Sequence, residues 1–581
     1  MAASTVAEKL VAVLEGVGVR RVYGVVGDSL NPVVDAIRRS RHIEWLAVRN
    51  EEAGAFAASA EGQLTGQLAV CAGSCGPGNT HLLQGVFDAH RSRAPLLVIA
   101  SHITSEEVGT GFFQETHPER LFVDASSFCE VLSTSDQAPR LVQIAVQHAL
   151  GARDTSVLVL PGDVAEQPAP DVEVRPVPFS DAHRGELVPP PAVVEALAER
   201  LNASDRVMLF CGSGVASAHD EVMRLAGRLL APVGHSLRGK EWIQFDNPYD
   251  VGMSGLLGYG ACYDAMWEAD LVVLLGTDFP YDGFLPQART IQIDADATHL
   301  GRRSSLELAV HGDVRATLRS LEPLVTQKQD RRFLDRMLAR HAEALERVVG
   351  AYTRDIEHHR PIHPEWVASA LDEAASDDAI FTVDTGMCNV WAARYLTPNG
   401  RRRVIGSFVH GSMANALPQA IGAQLAYPGR QVISLSGDGG LGMLLGELLT
   451  VRQHDLPVKI VVFNNGSLGM VKLEMLVAGL PEHGTDIGRF DYAQIAHAIG
   501  IDAQRVEDPA RVPEVLRHAL HAPGPALVDV VTDPNALSIP PHVTAAQVKG
   551  FALATGRTVL AGGVGKMLEL ARANLRNIPR P

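Results

Sequence analysis

Long apolar runs are scarce in this chain: no stretch of its 581 residues approaches the roughly 18 to 20 consecutive apolar positions that cross a bilayer. A basic-then-apolar leader is missing too, because Glu8 and Lys9 interrupt the first apolar pattern. Cysteine is sparse and unpaired in spacing. Its six positions, Cys71, Cys75, Cys129, Cys211, Cys262 and Cys388, form no metal-type pair, and a chain of this size needs no disulfides to hold a core. Positive charge is in deficit: 51 Lys and Arg against 67 Asp and Glu leave a net charge of −16, which argues against a nucleic-acid partner. A cytoplasmic, reduced protein is the simplest expectation. What is present is ordinary for a globular protein, 46% hydrophobic and 20% charged residues, and the length suggests three or four domains.

The most informative stretch is 431–470. An apolar run at 432–435 leads to Gly437-Asp438-Gly439, a helix-like segment covers 441–454, and a second apolar run at 458–463 ends at Asn464-Asn465. This reads as a βαβ unit with polar groups at the C-terminal ends of both strands. In open parallel sheets that edge is where ligands bind, since side chains of the turn and N–H groups of the next helix converge there. Asp438 and Asn465 are then expected to face one another across a crevice. A carboxylate, an amide oxygen and a backbone carbonyl suit Mg²⁺ completed by phosphate oxygens. Glycines beside Asp438 let the main chain approach a diphosphate.

Gly-Asp-Gly, 24 intervening residues and Asn-Asn together resemble the thiamine diphosphate motif of the pyruvate oxidase and acetolactate synthase superfamily. The resemblance implies Asp438, Asn465 and the carbonyl of Ser467 as metal ligands, with Gly437, Gly439, Leu468, Gly469 and Met470 against the cofactor. It also implies that Met413, in the loop 406–416, wedges between the two cofactor rings beside Ser412, while the carbonyl of Gly411 accepts a hydrogen bond from the 4′-amino group. Met470 stands where quinone-linked relatives carry an aromatic residue. Glu474 matches an acidic residue near the reacting carbon.

Residues 1–165 alternate helical patterns with apolar runs at 22–26, 68–71, 96–100 and 157–160, the rhythm of an α/β domain with a parallel sheet. Glu51 and Glu52 open a helix, where carboxylates ordinarily serve the helix dipole. The resemblance instead makes Glu51 the cofactor-activating acid: a carboxyl group bonded to N1′ of the aminopyrimidine favours the imino form that takes the C2 proton. Asn50 stands where many relatives have His. In the Gly-rich loop 109–118, Phe113 and Gln114 match a pair bordering the substrate, with Phe112 the alternative as a buried anchor.

A proline-rich linker at about 166–191 precedes a second α/β region with strands at 207–210, 271–275 and 290–293. Gly212-Ser213-Gly214 alone is a weak nucleotide signal, and a domain that has lost its nucleotide is the alternative. The runs 237–241, 246–258 and 276–280 are similar to the FAD domain of pyruvate:quinone oxidoreductases. That similarity implies FAD contacts at Met253, Ser254, Gly255, Leu256, Gly276, Thr277, Asp278, Phe279, Pro280 and Asp294.

A charged helical stretch at about 327–359 leads to strands at 379–383, 404–405, 432–435, 458–463 and 526–531. The first and last thirds share one rhythm and suggest two diverged copies flanking a third sheet. The fold class is therefore α/β: three Rossmann-like domains with mainly parallel sheets, pyrimidine-binding over 1–180, FAD-binding over 181–345 and diphosphate-binding over 346–550. The tail, 551–581, repeats Leu560, Val564, Met567, Leu568, Ala571, Leu575 and Ile578 at helical spacing with five basic residues. It fits either an anionic membrane surface or a docked terminal helix.

The resemblance implies a thiamine diphosphate-, Mg²⁺- and FAD-dependent enzyme that oxidises pyruvate to acetate and carbon dioxide and passes electrons to a membrane quinone. It implies a homo-oligomer, a dimer at least and a tetramer by habit, peripheral at the inner face of the cell membrane. The alternatives are a non-oxidative carboligase resembling acetolactate synthase, an oxygen-dependent pyruvate oxidase, and a regulatory protein on an inactive scaffold.

Overall fold

The computed structural model describes residues 4–536, except 173–176, 178, 180–183 and 287–288, together with 553–555, 557, 564–574 and 576. Apolar runs bounded by glycine and proline become strands, and the segments between them become helices on both faces of three sheets.

In the first domain these are β1 (Arg21–Gly24), β2 (Glu44–Ala47), β3 (Ala69–Gly73), β4 (Leu96–His102), β5 (Phe128–Val131) and β6 (Thr155–Pro161), all parallel, in the order β2-β1-β3-β4-β6-β5. The central strands β3, β4 and β6 are buried at every position, as sheets covered on both faces require. The middle domain holds β7 (Val207–Cys211), β8 (Val233–His235), β9 (Asp250–Met253), β10 (Tyr259–Gly260), β11 (Leu271–Leu275), β12 (Thr290–Asp294) and β13 (Leu308–His311). Their order is β10-β9-β8-β7-β11-β12-β13, with only the β9–β10 pair antiparallel.

The last domain contains β14 (Ile380–Val383), β15 (Arg403–Gly406), β16 (Val432–Gly437), β17 (Lys459–Asn464), β18 (Asp502–Val506) and β19 (Ala526–Val531), in the order β15-β14-β16-β17-β19-β18. This is the permutation of the first domain strand for strand, which supports two copies of one unit. The helices after the second strand of each copy, Glu51–Thr65 and Ala416–Ala426, are equivalent by topology, and they pack on each other. A Cβ on Gly422 would lie 2.0 Å from the carbonyl oxygen of Ala57, so only glycine permits this approach. One hydrophobic core joins the two copies, with Tyr23, Ala57 and Val98 of the first and Leu417, Ile421 and Ile460 of the last.

Two expected elements differ. The helix read over 441–454 is two short helices, Asp438–Met443 and Glu447–Gln453, broken at Leu444–Gly446. The charged stretch at 327–359 narrows to the helix Arg332–Arg347 followed by a 3₁₀ turn at Val349–Tyr352. No helix among the described residues is long and apolar enough to cross a membrane.

Candidate active site

The C-terminal ends of β14, β16 and β17 open into one cleft. Asp438 begins a helix directly after β16, and Asn465 follows β17, so both reach the cleft from adjacent strands as the βαβ reading requires. Gly437, Gly439, Ser467, Leu468, Gly469, Met470 and Met413 line it with them.

The Asp438 carboxylate is almost fully buried. It accepts hydrogen bonds from the N–H of Gly439 at 3.0 Å and of Gly466 at 2.5 Å, while the Tyr492 hydroxyl donates to its main-chain carbonyl at 2.9 Å. Burial nonetheless pushes the carboxyl up to about 6, against the pull of those N–H groups. A buried acid held this way gains from a cation. The side-chain oxygen of Asn465 accepts from the N–H of Ser467 at 2.8 Å, which orients the 465–467 turn. Gly466 has φ +68°, the left-handed region that lets the turn fold back toward Asp438.

Beneath this turn lies Asp384, at the end of β14. Burial lifts its carboxyl to about 7 although it accepts N–H bonds from Thr385, Ala414, Gly437 and Asn415. It thereby ties the Met413 loop to the Gly437-Asp438 turn. A Cβ on Gly440 would stand 1.7 Å from its Oδ2, so the glycine is obligatory while Asp384 is there. The Thr385 and Ser467 hydroxyls both belong to cleft-lining residues, are buried, and have no protein partner. Two orphaned hydroxyls, an oxygen-donor pair and glycines whose missing side chains leave room match what a magnesium-bound diphosphate requires.

The first domain forms a second cluster. Glu51 is the first residue of its helix, nearly buried, and its Oε2 lies 2.9 Å from Nδ1 of His81. Gly78 stands beside its other oxygen, where an added Cβ would approach to 3.2 Å. The main chain of Gln114, at φ +62°, covers Gly76, and the Cys75 thiol donates to the Gln114 amide oxygen at 3.3 Å. Phe113 is 77% exposed and Phe112 47%, so neither serves as a buried anchor within one chain. Glu51, Gln114 and the 73–79 loop thus share one sheet edge. Glu51 is not among the residues lining the Asp438 cleft. The start of its helix is fixed from the last domain: Oε1 of buried Glu447 accepts the N–H groups of Arg49 and Asn50, each at 3.0 Å.

In the middle domain Met253, Ser254, Thr277, Phe279 and Asp294 are buried, and Leu256 is exposed. The Ser254 hydroxyl has no protein partner. Gly255, at φ +110°, packs on the rings of Phe279 and Tyr281. Gly212 and Gly214 approach Gly276 so closely that a Cβ on either would come within 2.6 Å of its backbone. Asp278 is committed to Arg302, at 2.8 Å, and Arg303. Asp294 accepts the N–H of Asp296 at 2.9 Å and faces His299. Glu474 is exposed on the helix Gly469–Val477, close enough that it adds to burial in raising the Tyr281 hydroxyl.

Sequence reasoning missed Asp384, His81, Glu447 and the cleft residues Trp391 and Asp533. Only Asp384 carried a local signal, an acid ending an apolar run before Thr-Gly. The described part of the tail docks on this domain: Leu570 and Ala554 pack against Leu476, and Asn574 donates to the carbonyl of Asn535 at 2.8 Å. Leu568 is exposed, and Leu560, Leu575 and Ile578 lie outside the described residues.

Three family models match the chain: the N-terminal TPP binding domain of thiamine pyrophosphate enzymes over residues 4–121, their central domain over 194–321, and their C-terminal TPP binding domain over 384–530. The chain is 34% identical over 555 residues to the putative thiamine pyrophosphate-containing protein YdaP of Bacillus subtilis, covering 95% of each. It is 30% identical over 536 residues to pyruvate oxidase of Lactiplantibacillus plantarum, covering 90% of this chain and 87% of that one. Against the acetolactate synthase isozyme 1 large subunit of Escherichia coli the identity is 30% over 544 residues, 91% and 94% of the two chains.

Proposed function

The chain belongs to the thiamine pyrophosphate enzyme family, and from that premise we propose that it decarboxylates pyruvate oxidatively to acetate and carbon dioxide, passing two electrons through FAD to a membrane quinone. The observation that carries the thiamine half is the cleft in which Asp438, Asn465 and two unpartnered hydroxyls converge. The flavin half draws support from buried, unpartnered Ser254 beside the glycine-permitted approach of 212–214 to Gly276.

When bound, thiamine diphosphate supplies an electron sink for decarboxylation and FAD a two-electron acceptor. Asp438, Asn465 and the Ser467 carbonyl would hold Mg²⁺ against the diphosphate. Glu51 would hold a proton at N1′ of the aminopyrimidine, and the Met413 side chain, which lines the cleft, would pack against the cofactor. Phe113, Gln114 and Glu474 border the 2-oxo acid. Glu51 and Asp438 sit at the edges of different sheets and Glu51 does not line the Asp438 cleft, which supports a site completed between two subunits, with a dimer as the smallest active unit. The tail, with Leu568 exposed, is the part of the chain that would meet the inner face of the cell membrane.

A second reading, non-oxidative carboligation to acetolactate, is favoured by an identity to acetolactate synthase equal to that with pyruvate oxidase. Incubating the protein anaerobically with pyruvate, with and without a soluble quinone, and assaying acetate and acetolactate separates the two. Acetate formed in step with quinone reduction is expected. Acetolactate formed without acceptor reduction would replace the first reading by the second.

A further inference from the structure

The helix Met387–Tyr395 runs from the thiamine cleft to the middle domain. Its first residues, Met387 and Cys388, line the cleft together with Trp391. Its last residues make a reciprocal pair of contacts. Lys240, from the middle domain, donates from Nζ to the carbonyl of Ala393 at 2.6 Å, and Arg394 donates from Nη2 to the middle-domain carbonyl of Gly258 at 3.0 Å.

Both cations are more than nine-tenths buried. Two adjacent positions of one helix thus exchange charged hydrogen bonds with main chain across a domain boundary. Removing two cations from water is costly, and main-chain carbonyl acceptors repay it only where the geometry is fixed.

What lies at the far end of these contacts gives them a direction. The N–H of Gly258 donates to the carbonyl of Gly255 at 3.0 Å, closing the 253–258 turn. Lys240 also stands over the ring of Tyr259, 5.4 Å from its centroid, and Tyr259 pairs in register with Met253. Met253 and Tyr259 share one hydrophobic core with Trp391 and Cys388. An unbroken path of packed and hydrogen-bonded groups therefore joins the wall of the thiamine cleft to the turn expected against the flavin.

We infer that Lys240 and Arg394 are positioning residues that clamp the helix Met387–Tyr395 to the 253–258 turn and so set the separation across which electrons pass from the thiamine site to the flavin. The inference rests on the two-cofactor reading above. The clamp touches neither cofactor; it acts on where the two sites stand. A misplacement of about 1 Å costs on the order of a hundredfold in well-oriented reactions, so loosening it should slow the transfer and leave the earlier steps alone.

The test uses the full-length holoenzyme. Lys240→Met keeps an unbranched side chain one atom shorter and removes the donor. Cofactor contents, anaerobic single-turnover release of labelled carbon dioxide from pyruvate, and the rate at which pyruvate bleaches the flavin are measured on the wild type and on the variant. Full cofactor content, carbon dioxide release within about twofold of wild type, and bleaching slowed about tenfold or more are expected, with Lys240→Arg restoring most of the loss. Bleaching at the wild-type rate, or both rates falling together as in general structural damage, would overturn the clamp. Should Lys240→Met not be recovered folded, Arg394→Lys, which keeps the charge and removes the Nη2 donor, takes its place with the same expected split. A wild-type protein that carries thiamine diphosphate but no flavin removes the two-cofactor premise, and the inference falls with it, whereas failure confined to the variants counts against the clamp alone.

Discussion

The clearest energetic consequence of the cleft concerns Asp438→Asn. In the metal-free fold burial raises this carboxyl from 3.8 to about 6, and at 1.36 kcal/mol per unit the ionised form costs the empty site ~3 kcal/mol. The sign follows from the folded value lying above the unfolded one: the metal-free fold is unpenalised below the unfolded value, loses stability as pH rises from about 4 to about 6, and carries the full penalty above that. On the proposed reading Mg²⁺ with the diphosphate would offset the penalty. Asparagine removes the charge but can no longer accept from both Gly439 and Gly466, a loss of about 1.5–3 kcal/mol. The two changes nearly cancel, so metal-free Asp438→Asn should denature within about 2 kcal/mol of wild type near neutral pH. The ligand-bound states differ. At a hundred times its dissociation constant the cofactor stabilises wild type by ~2.7 kcal/mol, and a variant that has lost two or more decades of affinity shows about none of this. Denaturation curves with and without Mg²⁺ and thiamine diphosphate provide the assay. Repeating them near pH 5 should shrink the wild-type gain, since below about pH 6 the cation displaces a proton and affinity falls about tenfold per unit. An Asp438→Asn protein that keeps the wild-type ligand-induced stabilisation would refute the assignment of Asp438 as the cation ligand.

Glu447→Ala removes the acceptor of two main-chain N–H groups at the start of the Glu51 helix; it should cost about 1–3 kcal/mol in denaturant titrations and lower turnover at saturating cofactor, and an unchanged turnover would show that Glu51 is held by other means. Gly422→Ala drives a methyl group into the Ala57 carbonyl at 2.0 Å and should lose about 1–3 kcal/mol, read from the same titration; wild-type stability would mean that the two helices part freely. Co-expressing Glu51→Gln with Asp438→Asn tests the two-chain site. Each variant alone should be inactive, while random pairing leaves one intact site in half of the dimers and restores about a quarter of wild-type activity. No restoration would place Glu51 and Asp438 of one chain in one site.

What the sequence made legible and what it concealed divide along a physical line. Strands buried on both faces, such as β4, β16 and β17, are continuous apolar runs, and each was readable. The edge strands β2, β5 and β18 are four or five residues long and mostly half-buried or exposed, too short and too polar for an apolar run or a period to register. The 441–454 segment has helical periodicity throughout, but its break at Leu444–Gly446 serves Glu447, whose carboxylate must reach another domain nearly 400 residues away in sequence. No local pattern announces such a partner. The same holds for Asp384 beneath Gly440, and for His81 against Glu51.

The identical strand orders supply a reason for this arrangement. In each copy the third strand, β3 or β16, ends in a glycine-rich turn at the ligand-binding edge, and the helix after the second strand packs on its equivalent in the other copy. A duplicated unit that pairs through equivalent helices presents two related edges from one chain. On the proposed function the two copies differ in what their turns would hold: Gly-Asp-Gly and the Asn465 turn a cation and diphosphate, Glu51 at its helix start a proton. On the proposed function neither edge alone carries the full set of groups, and the site would be completed where the edges of two subunits meet. The contacts of Glu447 between the last and first domains, and of Lys240 and Arg394 between the middle and last, hold the domains in one frame, so that each edge would stand in a fixed place for such a meeting.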